Sequence, residues 1–395
     1  MAALTLLDVP VDILSALPDY LANIEDYTNL SSTCRHLKQC MEHATPSAIL
    51  HLAAAQSNTF FRPSPHFLVC ATGSQLGKWA RQSILNEAIL QTRLEKGIDG
   101  LMELVLEHCG LTLQRIRELH LMRFSIINPV TNIIDQCVGQ QWYAAEDFWN
   151  GGRSDAYTID SDPPVTLFHL AIYGELFGPD FETVLNRDTT TRRLSLETRL
   201  EYIKYCLPDF ATDLHNDWEK EVAEGRADPR RAVKRTGPYR NRDNVKNHNI
   251  AMTWVVKSSR WRPYWKAARQ LAGPEFEEEF EDEWWGSDST GADDWRQRMW
   301  ENVMICQGLE GMGMIRPGLQ DVWIGRMKEW RRKIAALDEE PAVVDVGRQS
   351  TLEYPFLLGD LRVCVSGEEE VSIARMATGL SAGGFYGDTS PWDIE

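Results

Sequence analysis

The chain has 395 residues, 58 acidic against 41 basic side chains and a formal charge of −17. That balance argues against broad electrostatic binding to nucleic acid, which needs a basic face, while 43% hydrophobic and 25% charged residues fit a soluble globular class with length for two or three domains. No apolar run approaches the roughly 20 residues of a membrane helix, and the N-terminus lacks a signal peptide's basic region and apolar run. The eight cysteines are scattered without a CxxC pair, so the expected state is reduced and the expected compartment is the cytoplasm, the nucleus or both.

Two short amphipathic patterns come first. Pro10 suits a first helical turn, Asp12 suits its positive end, and Ile13, Leu14, Leu17 and Leu21 follow at helical spacing. Asn23 can cap a second helix, with Asp26 in the acidic position of a capping box; Tyr27, Leu30, Cys34, Leu37 and Met41 then make a stripe. About 35 residues are too few for a core of their own, so these stripes need a partner surface.

The spacing resembles the F-box: Val9, Pro10, Asp12, Ile13 and Leu14, then Leu17 and Leu21, then Asp26, Leu30, Ser31, Cys34, Arg35 and Leu37. Val9 stands where leucine is usual. Pro18 stands where a second aliphatic residue is usual, and a proline inside a helix costs about 3 kcal/mol unless the helix kinks or restarts. The resemblance implies docking to a Skp-type adaptor, and through it to a cullin, by Val9, Pro10, Ile13, Leu14, Leu17, Leu21, Leu30, Cys34 and Leu37. It implies a non-catalytic, target-choosing subunit of a Skp–cullin–RING ubiquitin ligase, of a fungal type with a divergent helical region, needing no cofactor and no metal. A scaffold binding the adaptor outside ubiquitination, or a helical enzyme with an active site invisible in sequence, are the alternatives left open.

The expected fold is mainly α: a module at 1–47, a helical domain at 48–272, an acidic linker or insertion at 273–294, a helical continuation at 295–337 and a partly ordered end at 338–395. Residues 48–61 read as helical until Pro63 and Pro65. Between 78 and 138 come short helices. Ile84, Leu85, Ala88, Ile89 and Leu94 form one stripe closed by Gly97; Leu101, Leu104, Val105 and Cys109 form another closed by Gly110. Thr112 can cap a third carrying Leu113, Ile116, Leu119 and Phe124, and a fourth starts at Thr131. Residues 165–177 could be a buried helix or a strand. A helix with Leu196, Leu200, Ile203 and Leu207 follows.

Residues 226–246 carry eight Lys and Arg against two Asp, and 275–283 hold seven acids in nine residues. Nine of the fourteen tryptophans lie in 254–330, and core packing is the favoured reading over a recognition surface. Leu319, Val322, Trp323, Met327, Trp330 and Ile334 share one face of the clearest long helix, and Leu361, Val363 and Val365 alternate as in a strand. Two chemical motifs fall short. Gly73–Lys78 has one spacer too few for a phosphate loop, and Trp79 replaces its hydroxyl; His36, Cys40 and His43 share a face but lack a fourth metal ligand.

Overall fold

The structure is a computed structural model and describes residues 6–55, 65–138, 163–206, 225, 299, 303, 307–316, 319, 321–339, 351–354 and 361–364. The basic stretch 226–246, the acidic stretch 273–294 and the tryptophans at 254, 261 and 265 lie outside these residues. The described part is mainly α. A single antiparallel ribbon is described, β1 (Thr351–Tyr354) with β2 (Leu361–Cys364).

The first helix, α1 (Val11–Ala16), starts after Pro10, which stands just outside it with an extended ψ of 143°. The Pro10 carbonyl accepts from Ile13 N at 3.0 Å and Leu14 N at 3.1 Å, so the residue without an N–H still supplies the acceptor that begins the helix. At Leu17 the chain tightens into a 3-10 turn, Leu17–Tyr20, with Pro18 in its first positions. The proline starts a new turn instead of sitting inside an old one. Asn23 then caps α2 (Ile24–Thr33), its Oδ1 accepting from Asp26 N at 2.7 Å.

The stripe from Tyr27 to Met41, expected on one helix, is carried on two. Cys34 is extended (φ −156°, ψ 164°) and separates α2 from α3 (Arg35–Met41), its sulfur accepting weakly from Leu37 N at 3.5 Å. The break turns Leu37 and Cys40 toward α1 while leaving Tyr27 and Met41 on the inner side.

Beyond α4 (Pro46–Ala55), the core is built on α5 (His66–Arg81) and α10 (Pro163–Leu185), with α6 (Ile84–Leu94), α7 (Ile98–His108), α8 (Leu113–Met122) and α9 (Asn128–Val138) around them. The open choice at 165–177 resolves as a helix: Leu167, Phe168, Ala171, Ile172, Tyr173, Leu176 and Phe177 are at most 1% exposed. A segment apolar on every side suits a helix surrounded by others. Gly73 and Gly77 let α5 approach α10, because a Cβ on Gly73 would lie 2.8 Å from Glu175 Cβ and one on Gly77 3.2 Å from the Leu176 carbonyl. Those two glycines were the frame of the phosphate-loop motif. They stand mid-helix, serving packing.

Pro179 lies inside α10 and offers no N–H to the carbonyl one turn back. Next to that weak point the Arg81 guanidinium reaches across from α5. It donates to the Leu176 carbonyl at 2.7 Å and to Asp180 Oδ1 at 2.8 Å, and both side chains of this ion pair are buried. Leu194 N also donates to Asp180, at 3.2 Å, which pins the turn before α11 (Leu196–Cys206).

Glu87 of α6 does the same on the other side. It accepts from Ser195 N at 2.6 Å, from the Thr198 hydroxyl at 2.7 Å and from Arg192. The expected stripe on α6 is therefore rotated. Ile84 and Leu85 are 78% and 69% exposed, while Glu87, Leu90 and Leu94 are buried.

Thr112 caps α8 as expected, accepting from Arg115 N at 3.1 Å. The chain then runs without interruption through a π-turn, Arg123–Ile127, into α9, so the separate helix expected from Thr131 is the end of a longer run. Phe124 points outward at 63% exposure, while Ile126 and Ile127 are buried.

The short α12 (Gly308–Gly311) hangs from Glu175, whose Oε1 accepts from Leu309 N at 3.1 Å. In α13 (Asp321–Ala335), Trp323, Met327, Trp330 and Ile334 face inward, and Trp330 Nε1 donates to Glu182 at 2.9 Å. Val322, placed on that face by its spacing, is instead 73% exposed.

Candidate functional site

The N-terminal residues divide into two sets by exposure. Leu14 (0%), Leu37 (2%) and Cys40 (3%) form a small inner cluster, with Val9, Leu17, Leu30 and Cys34 packed at its edge. On the outer side Leu6 (43%), Val11 (52%), Ile13 (57%) and Tyr20 (84%) leave large apolar groups in water, and Pro10 is exposed beside them. A helix of six residues that buries Leu14 inward and presents Val11 and Ile13 outward has two apolar faces, and only one of them is covered.

The nine residues named from sequence do not all stand at one surface. Pro10 and Ile13 are open to a partner; Val9, Leu17, Leu21, Leu30 and Cys34 are half-buried; Leu14 and Leu37 serve the inner cluster and offer no surface. Leu21 and Leu30 also pack against the main core. Leu6, Val11 and Tyr20, all exposed, lie outside the F-box-like pattern. The signal for Val11 was present, since a helix with apolar residues at 11, 13, 14 and 17 has more of them than one face can hold.

The second half of this region is continuous with the body. Ile24, Tyr27 and Met41 belong to the main core, and the Tyr27 hydroxyl donates to the Met41 carbonyl at 2.6 Å. Burial, with the Glu42 carboxylate as a smaller contribution, raises the Tyr27 phenol above its usual range. The boundary expected at residue 47 is therefore no break in packing.

Other groups with chemical potential are held inside. Burial pushes the Cys109 thiol up to about 12 and raises those of Cys70 and Cys206 as well, which keeps them far from the thiolate form of a nucleophile. Burial lowers His66 to about 4, edge-on to His169 at 4.9 Å. Arg199 lies over the Phe181 ring at 5.0 Å and donates to the Tyr173 hydroxyl at 3.0 Å. His36 Nε2 and Cys40 Sγ are 3.9 Å apart, and among the described residues no group of three or more ligating side chains could hold a metal ion. Among the same residues no helix is long and apolar enough to cross a membrane.

No family model, no curated protein and no solved structure matches this chain.

Proposed function

We propose that the N-terminal helices dock a Skp-type adaptor and that the chain is a target-choosing subunit of a Skp–cullin–RING ubiquitin ligase. The observation that carries this reading is the double-sided α1, whose inner Leu14 completes a small cluster while Val11 and Ile13 remain exposed. The F-box-like order of Pro10, Asp12, Ile13 and Leu14 stands on the same helix. Fully burying an aliphatic side chain contributes about 1.5–3 kcal/mol, and Val11 and Ile13, just over half exposed, would each add roughly half of that toward the ~8 kcal/mol of a micromolar affinity. The chain itself performs no covalent step. It raises the concentration of a bound protein target near the ligase.

The test replaces Val11 and Ile13 together by aspartate. Both side chains are more than half exposed, so the melting temperature should stay within a few degrees of wild type. Adaptor binding should fall at least about 100-fold, as two charges enter an apolar contact. Leu14→Asp should instead lower both stability and binding, because it places a charge in the inner cluster. Co-purification of a cullin with the adaptor assigns the chain to the ligase, and adaptor without cullin assigns it to a scaffold. Absence of wild-type binding at micromolar adaptor refutes the docking assignment.

A further inference from the structure

On the side of α2 and α3 that carries Tyr27 and Arg35, a cleft of 720 Å³ opens between these helices, the start of α4 and the segment leading into α8. Its size falls within the roughly 300–1,000 Å³ of sites that hold small molecules. Exposed Pro46 and half-buried Ala44 and Leu113 give it apolar surface over the buried Tyr27, Ile49 and Leu111, and Arg35, Lys38 and Arg117 stand exposed on its walls.

These three cations and one carboxylate, Glu42, line the cleft, which leaves it a net of two positive charges. The whole chain carries −17, so an unbalanced positive cleft runs against its composition. Among the described residues none of the three is ion-paired, although Arg115, two positions before Arg117, has Glu118 at 3.2 Å and Glu310 at 3.6 Å. The hydroxyls differ in the same way. Ser31 and Ser32 donate back to the Thr28 carbonyl, at 3.1 and 2.6 Å. Thr112 accepts from Arg115 N through its oxygen, which leaves its own proton to donate into the cleft.

The walls are fixed before anything binds. Leu111 N donates to the Pro46 carbonyl at 2.8 Å, and the Gln75 amide holds Gly110 through both its atoms, at 2.9 and 3.0 Å. Gly110 has no room for a side chain, since a Cβ there would lie 2.6 Å from Pro46. A preformed cleft loses little on ordering when a ligand arrives.

We propose that this cleft binds an organic dianion, a phosphate monoester on a small apolar body. Arg35, Lys38 and Arg117 neutralise its two charges, the Thr112 hydroxyl donates to one of its oxygens, and the apolar part lies on Pro46 and Leu113. The monoester could be a free small molecule or a phosphorylated side chain on a peptide, because both present the same dianion.

Calorimetric titration of the full chain, without adaptor, tests this with phenyl phosphate, inorganic phosphate and a capped Leu–phosphoserine–Leu peptide beside its unphosphorylated form. Phenyl phosphate or the phosphopeptide should bind at least about ten times tighter than inorganic phosphate. The tighter of the two identifies the source of the dianion. Affinity should drop roughly tenfold between pH 7.5 and pH 5, because the second ionisation of a phosphate monoester lies near 6.

Replacing Arg35, Lys38 and Arg117 by glutamine should weaken binding more than about 30-fold at unchanged melting temperature. The charge-matched control Lys78→Gln, Lys328→Gln and Arg332→Gln, all exposed and away from the cleft, should leave it intact. Arg117→Gln alone gives a second reading on a single surface change. Millimolar or weaker binding of both probes, parity with inorganic phosphate, or equal losses in the two triple variants would overturn the assignment.

Discussion

Glu175 shows how one side chain ties its neighbourhood to pH. It is half-buried between α5 and α12, and loss of water around it is the largest influence, raising the carboxyl above its ordinary 4.5 against the opposing Leu309 N–H. A carboxyl raised by folding holds its proton longer in the folded chain than in the unfolded one. Its contribution to stability is therefore complete below about pH 4.5 and is lost as pH rises through the folded value. Glu175→Gln keeps an oxygen to accept from Leu309 N and never ionises. The variant should match wild type near pH 4 and melt at a higher temperature at pH 7–8; thermal melts across that range check it, and a gap independent of pH would contradict it. Nothing in the sequence marked Glu175, whose partner Leu309 lies 134 positions away. Glu87, Arg81, Asp180 and Arg199 were hidden for the same reason. A polar residue within a helical stripe reads as solvent-facing until its distant partners are known.

At the scale of elements, signals confined to a few neighbouring residues are legible in the sequence. Asn23 and Thr112 do cap their helices, because a cap needs only the next three residues. Asn23→Ala should cost about 1 kcal/mol in a denaturant titration and Asn23→Ser much less; an equal loss in both would show that the amide does more than cap. The break at Cys34 and the π-turn at Arg123–Ile127 were not legible. Each is a compromise in backbone hydrogen bonding that is compensated by packing: Leu37 and Cys40 against α1 in one case, Ile126 and Ile127 in the core in the other. The outward face of α1 was half legible. Spacing identified the helix and its leucines, but which of two apolar faces turns inward depends on α3, which crosses it.

Across the whole molecule, stability should be uneven in a definite order. Main-core residues reach from Ile24 to Ile334, whereas α1 is held by the small cluster at Leu14, Leu37 and Cys40. Amide exchange should therefore release α1 and the Leu17–Tyr20 turn at least about 100 times faster than the buried centres of α5 and α10. Equal protection would mean that α1 unfolds only with the body.

The bond from Tyr27 to Met41 and the one from Leu111 to Pro46 bracket a four-residue joint, 42–45, between α3 and α4. Ile24, Tyr27 and Met41 on one side of it share a core with Ile49 and Leu50 on the other, so the joint does not swivel. On the proposed docking, a partner on α1 through α3 and a target held by the body would keep one bearing and one distance, as on a shelf bracket instead of a leash. A leash samples many positions and dilutes its cargo over all of them, while a bracket spends all its time at one. The corollary of that proposal is intolerance: a target whose reactive group lies off that bearing would stay out of reach, however tightly it is held.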